Sequence, residues 1–232
     1  MVITLSLDSL MPYMATINSG PYFSGLESAE METVSRLMIE RNAEKDEIIW
    51  LAGEPANELY FVVSGAVKLF ITSCEGKEQI LKLTRPGESF GDIAVFDGDF
   101  HPASAQATTK SVFYTIRRTD LEDLLWQSPR FARNAINVLA EKARHCMSLI
   151  EGLSFMNVDG RLAKILLEHG GDTASCQQLQ LSRRELAAMV GTVRETVGRA
   201  LKSLEDEGIV SLDGRHIVIT DADALRAKAV MC

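Results

Sequence analysis

The sequence predicts an α+β chain. An N-terminal antiparallel β-roll of the double-stranded β-helix, jelly-roll-like kind leads to a long helix and then to a C-terminal winged helix-turn-helix. Three observations carry this. Between Ile48 and Ile116, short apolar runs with strand-like alternation are separated by glycine turns at regular intervals. From Arg118 the apolar spacing becomes helical, with one unbroken periodic run from about 130 to 153. Between Leu181 and Val210, two closely spaced helix-start signals flank Gly191, and a hairpin pattern follows.

Taken in order, residues Met1 to Gly20 lack periodicity and read as a flexible leader. Leu26 to Ile39 reads as a helix, with Met31, Val34, Leu37 and Met38 behind Ser28. Strands are expected at Ile48–Leu51, Leu59–Val63, Val67–Ile71, Gln79–Leu83 and Val112–Ile116, with turns at Gly53, Gly65, Gly76 and Gly87. Thr119 is placed as the cap of a short helix through Trp126, ending before Ser128-Pro129. The long helix then carries two overlapping stripes: Ile136, Ala140, Ala143, Met147, Ile150, and Leu139, Ala143, Cys146, Ile150, Leu153. Two stripes imply contact on two sides. One is assigned to the roll and the other to the identical helix of a partner. A hinge is expected at Phe155 to Gly160.

In the C-terminal part, Ser182 with Glu185 and Thr192 with Glu195 are two S/T-x-x-E capping boxes, each satisfying orphan N–H groups at a helix start. Gly191 between them supplies the positive φ that stops the first helix. On the second helix, at about 100° per residue, Val193, Val197, Ala200, Leu201 and Leu204 share one face. Arg194, Glu195, Gly198, Arg199 and Lys202 share the other. Arginine donates two bonds to guanine O6 and N7, and glutamate accepts from cytosine N4, so this exposed row suits a major-groove reader. Gly198 lets the backbone come close to DNA. Gly208 closes the helix, and Ile209–Leu212, Asp213-Gly214 and His216–Ile219 read as a hairpin with a two-residue turn, the wing.

Composition narrows the classes. The 232 residues are 46% hydrophobic, enough for two domains with cores. No apolar run reaches the roughly 18 residues of a membrane span, and no secretory signal is seen, so a cytoplasmic protein without a membrane partner is expected. The net charge of −8 argues against indiscriminate nucleic-acid binding and leaves room for a local reader. The four cysteines, Cys74, Cys146, Cys176 and Cys232, form no C-x-x-C and no zinc spacing. No P-loop, G-x-S-x-G or H-E-x-x-H occurs, so no enzyme is expected.

The string Arg194-Glu195-Thr196-Val197-Gly198-Arg199, with Gly191, Thr192 and Val193 before it, closely resembles the recognition helix of the superfamily of the cyclic-AMP receptor protein and the fumarate-nitrate reductase regulator. The resemblance runs from about Tyr22 to the end. It implies base reading by Arg194, Glu195 and Arg199 in double-stranded DNA at TGTGA-like half-sites. It also implies phosphate contacts from Ser182, Arg183 and Thr196, to which Lys202 is added from its place on the exposed face. It further implies a homodimer through the long helix and RNA polymerase as a further partner of an activator. The domains implied are a leader at 1–20, an effector-sensing roll at 21–127, a dimerisation helix and hinge at 128–156, and the winged unit at 157–232.

The turn glycines Gly53, Gly65, Gly87 and Gly91 fit the pattern of the superfamily's effector-binding β-roll, and the segment Gly87 to Ala105 resembles its phosphate-binding cassette. Cyclic-nucleotide binders carry a glutamate and an Arg-Ser pair there. This chain has Asp92, Pro102 and Ala103, and Cys146-Met147 where the long helix reads adenine. Proline offers neither charge nor N–H, and a buried phosphate without its arginine is costly. The reading is therefore an effector or a redox or gas signal that is not cyclic AMP bound in that manner. The pocket is expected from Phe90, Gly91, Asp92, Ile93, Pro102, Ala103, Cys146 and Met147, with Phe96 completing an apolar wall. Its ligand is unassigned. The alternatives are cyclic AMP or GMP in an atypical cassette, or a haem-based sensor of nitric oxide or carbon monoxide with His101, His145 or Cys146 on iron. A histidine beside a turn proline is ordinarily a surface residue. An iron–sulfur cluster is not expected, since no cysteine precedes Cys74.

Overall fold

The computed structural model describes residues 16–17, 19–169, 181–213 and 216–230. The leader as far as residue 15, Cys176, Cys232 and the expected glycine of the wing turn lie outside these. The chain forms two compact units. One comprises residues up to Ile71 with Leu81–Arg144; the other comprises Thr72–Ile80 with residues from His145 on.

In the first unit, helix α1 (Ser28–Leu37) precedes strands β1 (Ile39–Ala43), β2 (Ile48–Trp50), β3 (Glu58–Ser64), β4 (Val67–Thr72), β5 (Glu78–Thr84) and β6 (Ser89–Phe90). A one-and-a-half-turn helix α2 (Asp92–Asp97), strands β7 (Ser104–Ala107) and β8 (Ser111–Arg117), and helix α3 (Arg118–Gln127) follow. The strands make two four-stranded sheets, ordered β1-β8-β3-β6 and β2-β7-β4-β5. The first sheet is covered on both faces, which explains the unbroken apolar runs of β3 and β8. From β3, Leu59, Phe61 and Val63 enter the core under the helices, while Val62 enters the core between the sheets. In β8, Tyr114 and Ile116 go one way and Phe113 the other.

The long helix α4 (Pro129–Phe155) begins on this unit. The row that it buries is Phe131, Ala135 and Val138, packed with Tyr22, Phe23 and Phe61. Within the first unit, neither expected stripe supplies this buried row, and Leu139 is only half-buried. Ile136, Met147 and Ile150 are 65%, 69% and 65% exposed, and Ala140, Ala143, Cys146 and Leu153 are exposed as well. The stripes are broader and more regular than the core row, so periodicity ranked them first. The core row stops after Val138 because its next member is Lys142.

Three local expectations need correction. Ile17, placed in the leader, is 2% exposed and belongs to the core. Helix α3 starts at Arg118 with Arg117 as N-cap and no side-chain cap, so Thr119 lies inside it. Strand β1 runs antiparallel to β8 from Ile39↔Thr115 to Ala43↔Ser111, although its Glu40, Arg41 and Asn42 carry no apolar alternation.

In the second unit, α5 (Val158–His169), α6 (Arg183–Val190) and α7 (Arg194–Asp206) precede the antiparallel pair β9 (Val210–Asp213) and β10 (His216–Ile219) and the closing helix α8 (Ala222–Val230). Asp213, expected in the turn, pairs with His216 in the ladder and so belongs to β9. α5 packs on α6, α7 and α8, and Leu162, Leu166, Leu186, Val190, Val197, Leu201 and Leu225 are buried throughout.

Candidate nucleic-acid interface

Helix α6 starts on a complete capping box. Ser182 Oγ accepts from the Glu185 N–H at 3.2 Å, and Glu185 Oε2 accepts from the Ser182 N–H at 2.8 Å. Gly191, at φ 75°, ends the helix, and its N–H and that of Thr192 both donate to the Ala187 carbonyl at 3.0 Å. A side chain at Gly191 would strain that left-handed backbone and would lie 2.9 Å from Leu153 Cδ2. The tight turn therefore requires glycine.

Helix α7 starts differently from the expectation. Its N-cap is Val193 with no side-chain cap, so Thr192 does not form a second capping box. Val193 is 52% exposed rather than part of the buried face. The remaining pattern stands: Val197, Ala200, Leu201 and Leu204 are buried, while Arg194, Glu195, Arg199 and Lys202 are exposed. Arg199 Nη2 leans on Thr196 Oγ1 at 3.3 Å, which holds the guanidinium over the helix face. Lys202 is shared between Glu205 at 3.0 Å and Asp206 at 3.1 Å, which offsets its charge. A Cβ built on Gly198 meets nothing within 4 Å. Packing within the chain does not ask for glycine there, and glycine inside a helix costs about 1 kcal/mol relative to alanine. Ser182 and Arg183 are exposed at the start of α6.

One residue absent from the sequence expectations orders this unit. Arg161, near the start of α5, donates from Nε to the Val190 carbonyl at 2.8 Å and from Nη1 to the Met156 carbonyl at 2.7 Å. It thereby satisfies backbone acceptors just past the end of α4 and at the end of α6. Near α6, Gln79 Nε2 donates to the Met189 carbonyl at 3.1 Å. Neither contact has a local sequence signal.

In the roll, the expected pocket residues do not converge. Phe90 is fully buried between the sheets, Phe96 packs with the core beneath the helices, and Ile93 is 49% exposed. Pro102 is exposed and Ala103 half-buried; Cys146 and Met147 belong to the second unit and are exposed. Rings fill the interior instead. Trp50 stacks on Phe90 at 5.3 Å, and Tyr60 lies 4.9 Å from Phe90. Trp50 Nε1 donates to the Ala103 carbonyl at 3.0 Å. His101 is not a surface residue. It is 6% exposed and stacked on Trp50 at 4.0 Å and 13°. Burial lowers its pKa below the usual histidine value, with an opposing pull from Glu54.

Asp92 is buried at the start of α2, where Gly91, at φ 85°, is the N-cap. Its carboxylate accepts from Tyr22 Oη at 2.5 Å, from Ser89 Oγ at 2.9 Å, and from the Lys142 ammonium. Burial, and then the Asp92 charge, hold the Tyr22 hydroxyl protonated far above the usual phenol range. Lys142 also donates to the Ser89 carbonyl at 2.9 Å. The roll departs from the arrangement expected of a cyclic-nucleotide cassette in two respects. The acid that would meet a ribose is already bonded, and no cation stands at Pro102 or Ala103. Aromatic rings occupy the interior. Among the described residues no cluster of His, Cys, Asp or Glu has the arrangement of a metal site, and His101 and His145 are placed in different units.

Residues 40–128 match the family model of the cyclic nucleotide-binding domain, and residues 160–228 that of the Crp-like helix-turn-helix domain. The chain is 32% identical over 213 residues to the cyclic AMP receptor protein of Thermus thermophilus, covering 92% of this chain and 98% of that protein. It is 27% identical over 213 residues to the CRP-like cAMP-activated global transcriptional regulator of Mycobacterium tuberculosis, covering 89% and 95%. Among solved structures it is similar to FixK2 from Bradyrhizobium japonicum, with a TM-score of 0.77, 30% identity, and coverage of 84% of this chain and 98% of that one.

Proposed function

Because the chain belongs to the CRP/FNR family of DNA-binding transcriptional regulators, we propose that it acts as a homodimer on a TGTGA-like palindrome, with half-sites about one helical turn apart. The carrying observation is the exposed row Arg194, Glu195 and Arg199 on α7, set opposite a fully buried face. Arg199 and Arg194 present forked donors to guanine and Glu195 an acceptor to cytosine. Ser182, Arg183 and Thr196 contact phosphates, with a smaller share from Lys202. The exposed stripes of α4 support pairing of two copies through that helix. RNA polymerase is the partner through which promoter binding is read out, in the cytoplasm.

The roll takes its signal without cyclic AMP held in the manner of the cyclic-AMP receptor proteins. Pro102, Ala103 and the engaged Asp92 support that reading. The decisive measurement is fluorescence anisotropy on a TGTGA palindrome and on scrambled DNA at physiological salt, with and without cyclic AMP. Preference for the palindrome that Arg199→Ala weakens by ~1–3 kcal/mol, unchanged by cyclic AMP, is expected. Equal affinity for both duplexes removes the base-reading assignment, and a large response to cyclic AMP removes the reading of the roll.

A further inference from the structure

Val193 stands at the tip of the reading helix, where folding gives no reason for a valine. It is the N-cap of α7, in extended conformation at φ −101° and ψ 156°, and its side chain makes no capping hydrogen bond. Its carbonyl accepts from the Thr196 and Val197 N–H groups at 3.1 and 3.2 Å, so the backbone starts the helix without help from the side chain. Serine, threonine, asparagine and aspartate are the favoured N-caps, and valine is among the poorest. The same unit uses the favoured chemistry at the start of α6, where Ser182 caps the helix.

Burial does not account for the valine either. Val193 is 52% exposed, while Val197, one turn further along, is 0% exposed. Val193, Arg194 and Glu195 form a continuous exposed run. A branched apolar side chain therefore stands in solvent directly before two of the side chains assigned to base reading. The N-terminal residues of a helix lying in the major groove are those that reach base edges. The groove has one apolar feature, the 5-methyl group of thymine, and apolar side chains recognise it by contact. A hydroxyl at this place could bond a phosphate or the helix end; an isopropyl group can do neither.

We propose that Val193 is a further specificity-determining residue, packing against the 5-methyl group of a thymine in the half-site that Arg194, Glu195 and Arg199 read. The inference rests on the base-reading assignment and deepens it. Arginine and glutamate read guanine and cytosine through hydrogen bonds, and neither is sensitive to a methyl group on thymine. Val193 adds that sensitivity at the helix tip.

The probe is a TGTGA palindrome in which deoxyuridine replaces the half-site thymines on both strands, which removes the methyl groups and keeps every hydrogen-bonding edge. Anisotropy with the full-length protein compares it with the thymine duplex at physiological salt. The unmodified protein should lose about fourfold in affinity per half-site, or roughly tenfold over the two. Val193→Ala should bind the thymine duplex about that much more weakly and respond less than about twofold to deoxyuridine. Val193→Ser, which supplies a favoured cap and so keeps the helix start, should be equally insensitive. Single replacements then identify the thymine. Preference for the palindrome over scrambled DNA without any response to deoxyuridine overturns this inference alone. An equal response in the unmodified protein and Val193→Ala does the same. Equal affinity for palindrome and scrambled DNA overturns the base-reading assignment and this inference with it. Should Val193→Ala fail to fold, Val193→Ser decides.

Discussion

Lys142 of α4 reaches the carboxylate of Asp92 at the start of α2, joining residues fifty positions apart inside the first unit. The Asp92 side chain is 1% exposed and that of Lys142 17%, so water screens the pair little. Tyr22 and Ser89 complete the carboxylate's hydrogen bonds. The long helix is thus fixed to the roll by a polar contact at the point where its apolar core row ends.

Removing one partner leaves a buried charge behind. Lys142→Met should destabilise the first unit by about 3 kcal/mol, toward the low end for broken buried pairs because Tyr22 and Ser89 still serve Asp92. Asp92→Asn combined with Lys142→Met should cost less than the sum of the two single changes. Urea unfolding followed by fluorescence of Trp50 and Trp126 checks this, and strict additivity would contradict the coupling.

The buried imidazole of His101 predicts a pH dependence of the same unit. Its pKa is lower in the folded than in the unfolded chain, so the unfolded chain binds the proton more readily. The stabilisation is complete above the unfolded histidine pKa of about 6.5 and is lost as pH falls through the lower folded value. The urea midpoint should drop between neutral and mildly acidic pH, and His101→Phe, which keeps a ring on Trp50, should remove that part of the drop.

Gly198 separates folding from DNA binding. A methyl group there meets only open space, so Gly198→Ala should raise the thermal stability of the winged unit by about 0.5–1 kcal/mol. It should also weaken binding to the palindrome, because the added carbon stands among Arg194, Glu195 and Arg199. A variant that is more stable and binds DNA equally well would show that the DNA backbone and bases do not approach this position.

Ile150 belongs to both exposed stripes of α4. Ile150→Asp should shift sedimentation from dimer toward monomer, raising the dissociation constant at least about tenfold, while circular dichroism stays unchanged. Retention of a full dimer would place the two-fold interface elsewhere.

Local chemistry made much of this molecule readable from its residues. The Ser182–Glu185 box, the Gly191 stop and the buried and exposed faces of α7 all depend on neighbours within a turn or two. The strands β3, β4, β5 and β8 announce themselves by alternation. The misplacements involve longer reach. His101 is buried because Trp50, far earlier in the chain, offers it a face. Strand β6 has two residues, too few to show a period. The apolar stripes of α4 outranked Phe131, Ala135 and Val138 because an exposed apolar stripe and a core-facing row share the same spacing. Lys142 at the next position of the core row was the legible sign that a buried acid waited opposite. Thr192 satisfied a capping motif, yet the turn geometry after Gly191 set the helix start one residue later.

The guanidinium of Arg161 is a single rigid plane that grips carbonyls belonging to two different rods. It cannot swing toward Met156 without loosening its hold on Val190. The tail of the long rod and the elbow between the two helices of the winged unit therefore share one latch, so loss of that single side chain frees both at once.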